Sequence, residues 1–102
     1  MTNERVPGLS GKETVILEML LESKEMYGLE LVDASAGRLK RGTVYVTLKR
    51  MEDKGYVTSR PEPSRAGSIG LPRRLYEATA AGRRLYEVCM LVRAKLNLAP
   101  AR

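Results

Sequence analysis

Apolar residues recur with a helical period in four segments of the chain, three of them in its first half. The first segment follows Ser10 and Glu13, whose Ser-x-x-Glu spacing is that of a helix-capping box, so helix 1 is predicted over about residues 10–22. A second helix is predicted over about residues 27–36, ahead of Gly37, because glycine often follows the end of a helix.

The third segment has the clearest apolar face. Val44, Leu48 and Met51 stand at positions i, i+4 and i+7 and predict a helix over about residues 41–54, which Gly55 ends. On a helix with 100° per residue, the opposite side then carries short polar and basic side chains.

The pattern changes after this helix. Residues 56–60 are rich in β-forming side chains, and residues 61–72 contain three prolines and two glycines, which predicts a strand followed by a long loop. Residues 75–78 predict a second strand. Thr79 is a plausible N-cap for a last helix over about residues 80–97.

This order of elements predicts a mostly α fold with a small two-stranded β-ribbon: a winged helix-turn-helix followed by a C-terminal dimerisation helix. We expect residues 1–78 to form a DNA-binding domain and residues 79–102 to form the dimerisation helix.

The last helix carries an apolar stripe that the preceding elements do not need for their own core. A second copy of the same helix would cover it, and the alternative is that the stripe packs back on helix 1. The predicted dimer interface consists of Leu85, Val88, Cys89, Val92 and Leu96.

Composition narrows the range of functions that the chain can have. The chain has no histidine and a single cysteine, Cys89, which excludes an intramolecular disulfide and favours a buried structural thiol over a redox sensor. No metal site, cofactor motif, membrane span or signal peptide is predicted, and we expect a cytoplasmic protein that is not an enzyme.

Charge is distributed unevenly. Residues 1–35 hold 3 basic and 7 acidic side chains, whereas residues 36–84 hold 12 basic and 4 acidic ones within a total of +6. A basic middle behind an acidic start is typical of a polyanion-binding face, although a solvated basic surface would give the same pattern.

Helix 3 is the candidate recognition helix. Its threonines and valine suit base edges, and its basic residues suit phosphates, in the major groove of double-stranded DNA. Tyr45 lies next to the apolar face, where core packing is the favoured role and a phosphate contact by its hydroxyl is the alternative. The predicted contacts on this helix are Lys40, Arg41, Thr43, Tyr45, Val46, Thr47, Lys49 and Arg50.

The loop before the second strand would form the wing. Arg65, Arg73 and Arg74 are predicted to contact the DNA backbone or enter a minor groove, and the alternative is a loop without a partner.

Three motifs in order resemble the PadR-type transcriptional regulators. They are Tyr27-Gly28-Leu29-Glu30-Leu31; Gly42-Thr43-Val44-Tyr45 with Leu48, Arg50-Met51-Glu52 and Gly55-Tyr56-Val57; and Gly70-Leu71-Pro72-Arg73-Arg74 with Tyr76, Thr79 and Gly82. The resemblance implies a homodimeric bacterial repressor with its dimer interface on the last helix. The chain departs from the family at Val46, where proline is frequent. It resembles the short branch with one C-terminal helix.

Two hypotheses therefore compete. The first is a sequence-specific DNA-binding repressor, and the second is a winged-helix adaptor that binds protein and not DNA. Some relatives bind aromatic effectors through aromatic side chains. The last helix offers only Tyr86 for that purpose, so the existence of a small-molecule effector stays open.

Overall fold

The computed structural model describes residues 9–62 and 73–96, and these form four helices and three strands. In chain order the elements are α1 (Gly11–Ser23), β1 (Met26–Tyr27), α2 (Gly28–Ala34), α3 (Arg41–Asp53), β2 (Val57–Pro61), β3 (Arg74–Ala78) and α4 (Ala80–Lys95). The predicted winged helix-turn-helix with a fourth helix is confirmed, and each helix begins and ends within a few residues of its predicted position.

The ribbon is a three-stranded antiparallel sheet and not the two-stranded one predicted. The strand that the sequence pattern misses is β1, which pairs with β3 through Met26 opposite Tyr76 and Tyr27 opposite Leu75. Two residues are too few to show a period of two, and their partners lie about 50 positions away, so no local pattern reveals the pairing. The central strand β3 therefore connects the base of the wing to the segment that leads into α2.

Local polar groups fix the helix ends where the sequence predicts. The Ser10 N–H donates to Glu13 Oε1 at 2.9 Å and the Glu13 N–H donates to Ser10 Oγ at 3.2 Å, which completes the capping box of α1. Thr79 Oγ1 accepts from the Gly82 N–H at 3.0 Å at the start of α4. Gly55, which follows α3, has φ of +85°, a left-handed conformation that glycine adopts without steric cost.

The core forms where α1 meets α2 and α3. Val44, Leu48 and Met51 are all fully buried, which confirms the predicted inner face of α3. They pack in one cluster with apolar side chains of α1, among them Ile16 and Leu17. The opposite side of α3 is thereby directed outward.

Helix α4 packs against the core of its own chain. A Cβ atom at Gly82 would collide with the carbonyl oxygen of Tyr56, so glycine is required for the close approach of α4 to the loop before β2. About two turns further along α4, Cys89 is only 1% exposed. The Tyr86 hydroxyl, between them, donates to Glu18 of α1 at 3.3 Å. One side of α4 is thus part of the core of its own chain.

Candidate nucleic-acid interface

The outward side of α3 is open along the first half of the helix. Arg41, Gly42 and Thr43 are exposed, and Val46 keeps 53% of its surface in solvent. The Thr47 hydroxyl donates to the Thr43 carbonyl oxygen at 3.1 Å, as threonines often do within helices. The face therefore presents short side chains at its centre, a profile low enough for the helix to approach a partner surface closely.

Tyr45 lies on the flank of α3 that faces the wing. Its side chain covers Gly28, where a Cβ atom would come within 2.5–2.9 Å of two ring carbons and the hydroxyl oxygen. Tyr45 is nevertheless 47% exposed, so the prediction that it packs mainly in the core is wrong. Tertiary packing over a glycine, which a helical wheel cannot show, holds the ring at the surface and directs it along a cleft.

The cleft has a volume of about 470 Å³ and is bordered by Tyr45 of α3, the start of α2 and the base of the wing. Its walls carry the rings of Tyr27, Tyr45 and Tyr76, and both wing arginines, Arg73 and Arg74, line it as well. Aromatic hydroxyls and guanidinium groups both donate hydrogen bonds, as an anionic strand requires. Glu30 and Asp33 of α2 line the cleft too, so its charge is mixed.

The wing arginines differ in how firmly they are held. Arg73 donates from Nη2 to Glu62 Oε1 at 2.8 Å and from Nε to Glu62 Oε2 at 3.3 Å, while its guanidinium lies 4.1 Å from the centre of the Tyr27 ring. The Tyr27 hydroxyl donates to the same carboxylate. This hydrogen bond to Glu62 is the main reason that the pKa of Tyr27 is raised, with some desolvation added. The three groups form what we call the wing clamp: Tyr27, Glu62 and Arg73.

Arg74 is held more loosely. Its Nε donates to Ser59 Oγ at 3.0 Å, and that hydroxyl donates in turn to Glu52 Oε2 of α3 at 2.9 Å. No carboxylate in the described part of the chain contacts Arg74 directly, so its charge is less compensated than that of Arg73. Both side chains are exposed, whereas Arg65 lies outside the described residues, so the predicted DNA contacts of the three arginines stay a prediction.

A second groove, of about 550 Å³, runs along the other flank of α3. One wall is the start of α1 with Lys12, and the other carries Thr43, Thr47 and Arg50. The pattern of apolar residues gave no sign that α1 begins beside α3, because helix packing brings the two together from positions about 30 residues apart. Helix α3 is thus bordered by a cleft on the wing side and by a groove on the α1 side.

The remaining basic residues near α3 divide into paired and unpaired ones. Lys49 makes an exposed ion pair with Asp53 at 2.8 Å, a contact that also raises the pKa of the lysine. Within residues 9–62 and 73–96, Lys40, Arg41 and Arg50 make no hydrogen bond or ion pair through their side chains. Unpaired cations are the ones that an incoming anion can neutralise without first breaking a protein contact.

The predicted dimer stripe is divided between two sides of α4. Cys89 faces the core, where burial raises the pKa of its thiol, and Leu85 and Val92 are half-buried. Val88 and Leu96 are exposed and remain available to a partner. Leu91, which the stripe does not include, is the most open large apolar residue on this helix at 65%.

Neither a membrane-spanning helix nor a metal-binding cluster is found among the described residues. None of their helices is long and apolar enough to cross a membrane, and none of their His, Cys, Asp and Glu side chains cluster in a group of three that could hold a metal ion.

Comparison with known proteins gives consistent matches. The family described as "Transcriptional regulator PadR-like family" matches residues 16–88. A PadR family transcription regulator from Clostridium difficile R20291 is 31% identical, with a TM-score of 0.70 over 86% of this chain and 92% of the other. A PadR family regulator from Eggerthella lenta is 26% identical, with a TM-score of 0.63 over 83% of this chain and 70% of the other.

The fold is also similar to that of a cysteine-to-serine mutant of MarR from E. coli, solved in complex with operator DNA. That structure is 19% identical, with a TM-score of 0.69 over 92% of this chain and 66% of the other. A search of curated proteins found no match.

Proposed function

This chain belongs to the PadR-like family of transcriptional regulators, and on that premise we propose that it binds double-stranded DNA as a homodimer and represses transcription. The family consists of regulators and not of enzymes. The proposal assigns base reading to the first half of α3 and phosphate contacts to the basic residues around it.

The observation that carries the proposal is the open face of α3 between two grooves. A helix with side chains is about 10–12 Å across and the major groove of B-DNA is about 12 Å wide, so an exposed helix of this kind fills the groove. Thr43 and Val46 then lie where base edges would be, and the unpaired Arg50 lies where a phosphate would be. The neighbour in fold that was solved on operator DNA supports the same use of a winged helix.

Dimerisation would proceed through the outer side of α4. Val88 and Leu91 are exposed apolar residues three positions apart, and three positions on a helix share one face. A two-fold axis beside this face would bury them and would place two copies of α3 on the same side of a duplex, one helical turn apart. Repression follows from occupancy, because a dimer bound across a promoter excludes polymerase without any further contact.

The experiment is selection of binding sites from a random duplex library, followed by anisotropy titrations over a salt series. We expect a two-fold symmetric site and a linear fall of log K with log salt. Arg50→Gln should weaken binding to selected and scrambled duplexes alike, and it should flatten the slope of log K against log salt by about 0.9 for each chain bound. Thr43→Ala should change the selected sequence and leave the slope unchanged.

Failure to enrich any duplex at low salt would refute the proposal and favour a protein-binding adaptor. A reporter gene behind the selected site separates repression from activation, because a repressor lowers its expression.

A further inference from the structure

The groove between the start of α1 and the flank of α3 contains a basic residue that the DNA-binding set predicted from the sequence omits. Lys12 lines this groove opposite Arg50, and Thr43, Val46 and Thr47 line it as well. Because the proposed function assigns Thr43 and Val46 to base edges, the phosphate contacts in this groove are assigned to the two cations alone. Lys12 is exposed, and its ammonium group has no hydrogen-bond or ion-pair partner within the described parts of the chain. We propose that this groove receives a DNA phosphate strand and that Lys12 is a phosphate contact.

Geometry supports a second strand at this position, given the proposed function on which this inference rests. A helix that fills the major groove has a sugar-phosphate backbone along each of its two sides. On the wing side, the strand would meet the cleft with Tyr45, Arg73 and Arg74. The other strand must then pass along the opposite flank of α3, which is the groove shared with Lys12 and Arg50.

Charge at the groove also fits a phosphate, although Glu13 is part of its lining. This carboxylate is only 5% exposed, and both of its oxygens are engaged: Oε1 accepts from the Ser10 N–H at 2.9 Å, and Oε2 pairs with Lys54 Nζ at 3.3 Å. Its negative charge is therefore compensated inside the protein. The two cations that project into the groove, Lys12 and Arg50, are not compensated in the described residues.

DNA-binding titrations of Lys12→Gln over a salt series test the proposal, with Lys24→Gln as the matched control. Lys24 is the residue that caps the other end of α1, roughly 18 Å from Lys12 along the helix axis, so it lies more than one Debye length away. Lys12→Gln should flatten the salt slope by about 0.9 for each chain bound, or about 1.8 for a dimer, on every duplex sequence. Lys24→Gln should keep the wild-type slope, and Lys12→Arg should restore it.

Ethylation interference identifies the phosphate. In the wild-type complex, ethylating the phosphates beside the groove should reduce binding, and for Lys12→Gln the effect of at least one of them should disappear. A wild-type slope together with an unchanged interference pattern in Lys12→Gln would overturn the inference while leaving the proposed function intact. If the wild-type protein binds no duplex at all, the proposed function fails and this inference fails with it.

Discussion

Replacing Leu91 by Glu should dissociate the proposed dimer while leaving each chain folded. Leu91 lies two residues from Cys89, a rotation of about 200° around α4, so the two side chains point in nearly opposite directions. Cys89 faces the core and Leu91 faces solvent. A charge at position 91 therefore meets water in the monomer and meets the partner helix in the dimer.

The size of the effect follows from the exposed surface. Complete burial of a leucine side chain contributes roughly 1.5–3 kcal/mol, and Leu91 has 65% of its surface left to bury, so the substitution removes about 1–2 kcal/mol per copy. A two-fold axis applies the loss twice, which gives about 2–4 kcal/mol or a roughly 30- to 1,000-fold rise in Kd. Desolvation of two carboxylates in the interface adds to this.

Sedimentation equilibrium from about 1 to 100 µM measures the association, and thermal melting reports the fold. The matched control is Leu29→Glu, the same substitution at another exposed leucine, which lies on α2 and should keep the wild-type mass. Val92→Glu, on the half-buried side of α4, should lower the melting temperature as well as the mass. A dimeric Leu91→Glu protein would refute the assignment of the interface to this face, and a wild-type monomer at tens of micromolar would refute the dimer.

Three further perturbations test the surroundings of α3, the wing and α4. Gly28→Ala should displace the Tyr45 ring and cost about 1 kcal/mol; a double-mutant cycle with Tyr45→Ala measures the coupling, and additive effects would contradict the contact. Tyr27→Phe should release one bond to Glu62 and speed hydrogen exchange at the Glu62 amide, which donates to Arg73 O at 2.7 Å; unchanged exchange would show that the clamp does not depend on the hydroxyl. Burial raises the pKa of the Cys89 thiol. The contribution of the buried, protonated thiol to stability is therefore complete at neutral pH and is lost as the pH rises through the raised pKa. Alkylation of Cys89 at pH 8 should require unfolding, and rapid alkylation of the native protein would contradict this.

Local signals in the sequence are sufficient for most of the fold. Ser10 and Glu13 act on each other across three residues, and Val44 and Leu48 define a face within one helix, so both were predictable from spacing alone. Strand β1 was not, because Met26 finds its partner only when β3 folds beside it. Non-local pairing of this kind leaves no periodic trace.

The candidate site divides in the same way. The outward set on α3 follows from its helical wheel, but which cations are paired does not. Arg73 meets Glu62 across 11 positions and Lys54 meets Glu13 across 41, so their compensation depends on tertiary structure. Equally, the sequence gives no reason to associate Lys12 with α3, since only the packing of α1 brings it beside Arg50.

The two-residue strand β1 has a mechanical consequence. It immediately precedes α2, and through β3 and the wing clamp it joins the wing to the helix pair that would enter the groove. A second link is the ion pair between Arg60 Nη2 of β2 and the Glu25 carboxylate at 2.7 Å, and Glu25 lies directly before β1. We therefore expect the described base of the wing and the segment that leads into α2 to move as one unit. In the proposed dimer, a change in the angle between the two α4 helices would therefore alter the spacing of the half-sites that the two chains can span, while the fit of each α3 to its own half-site would stay the same.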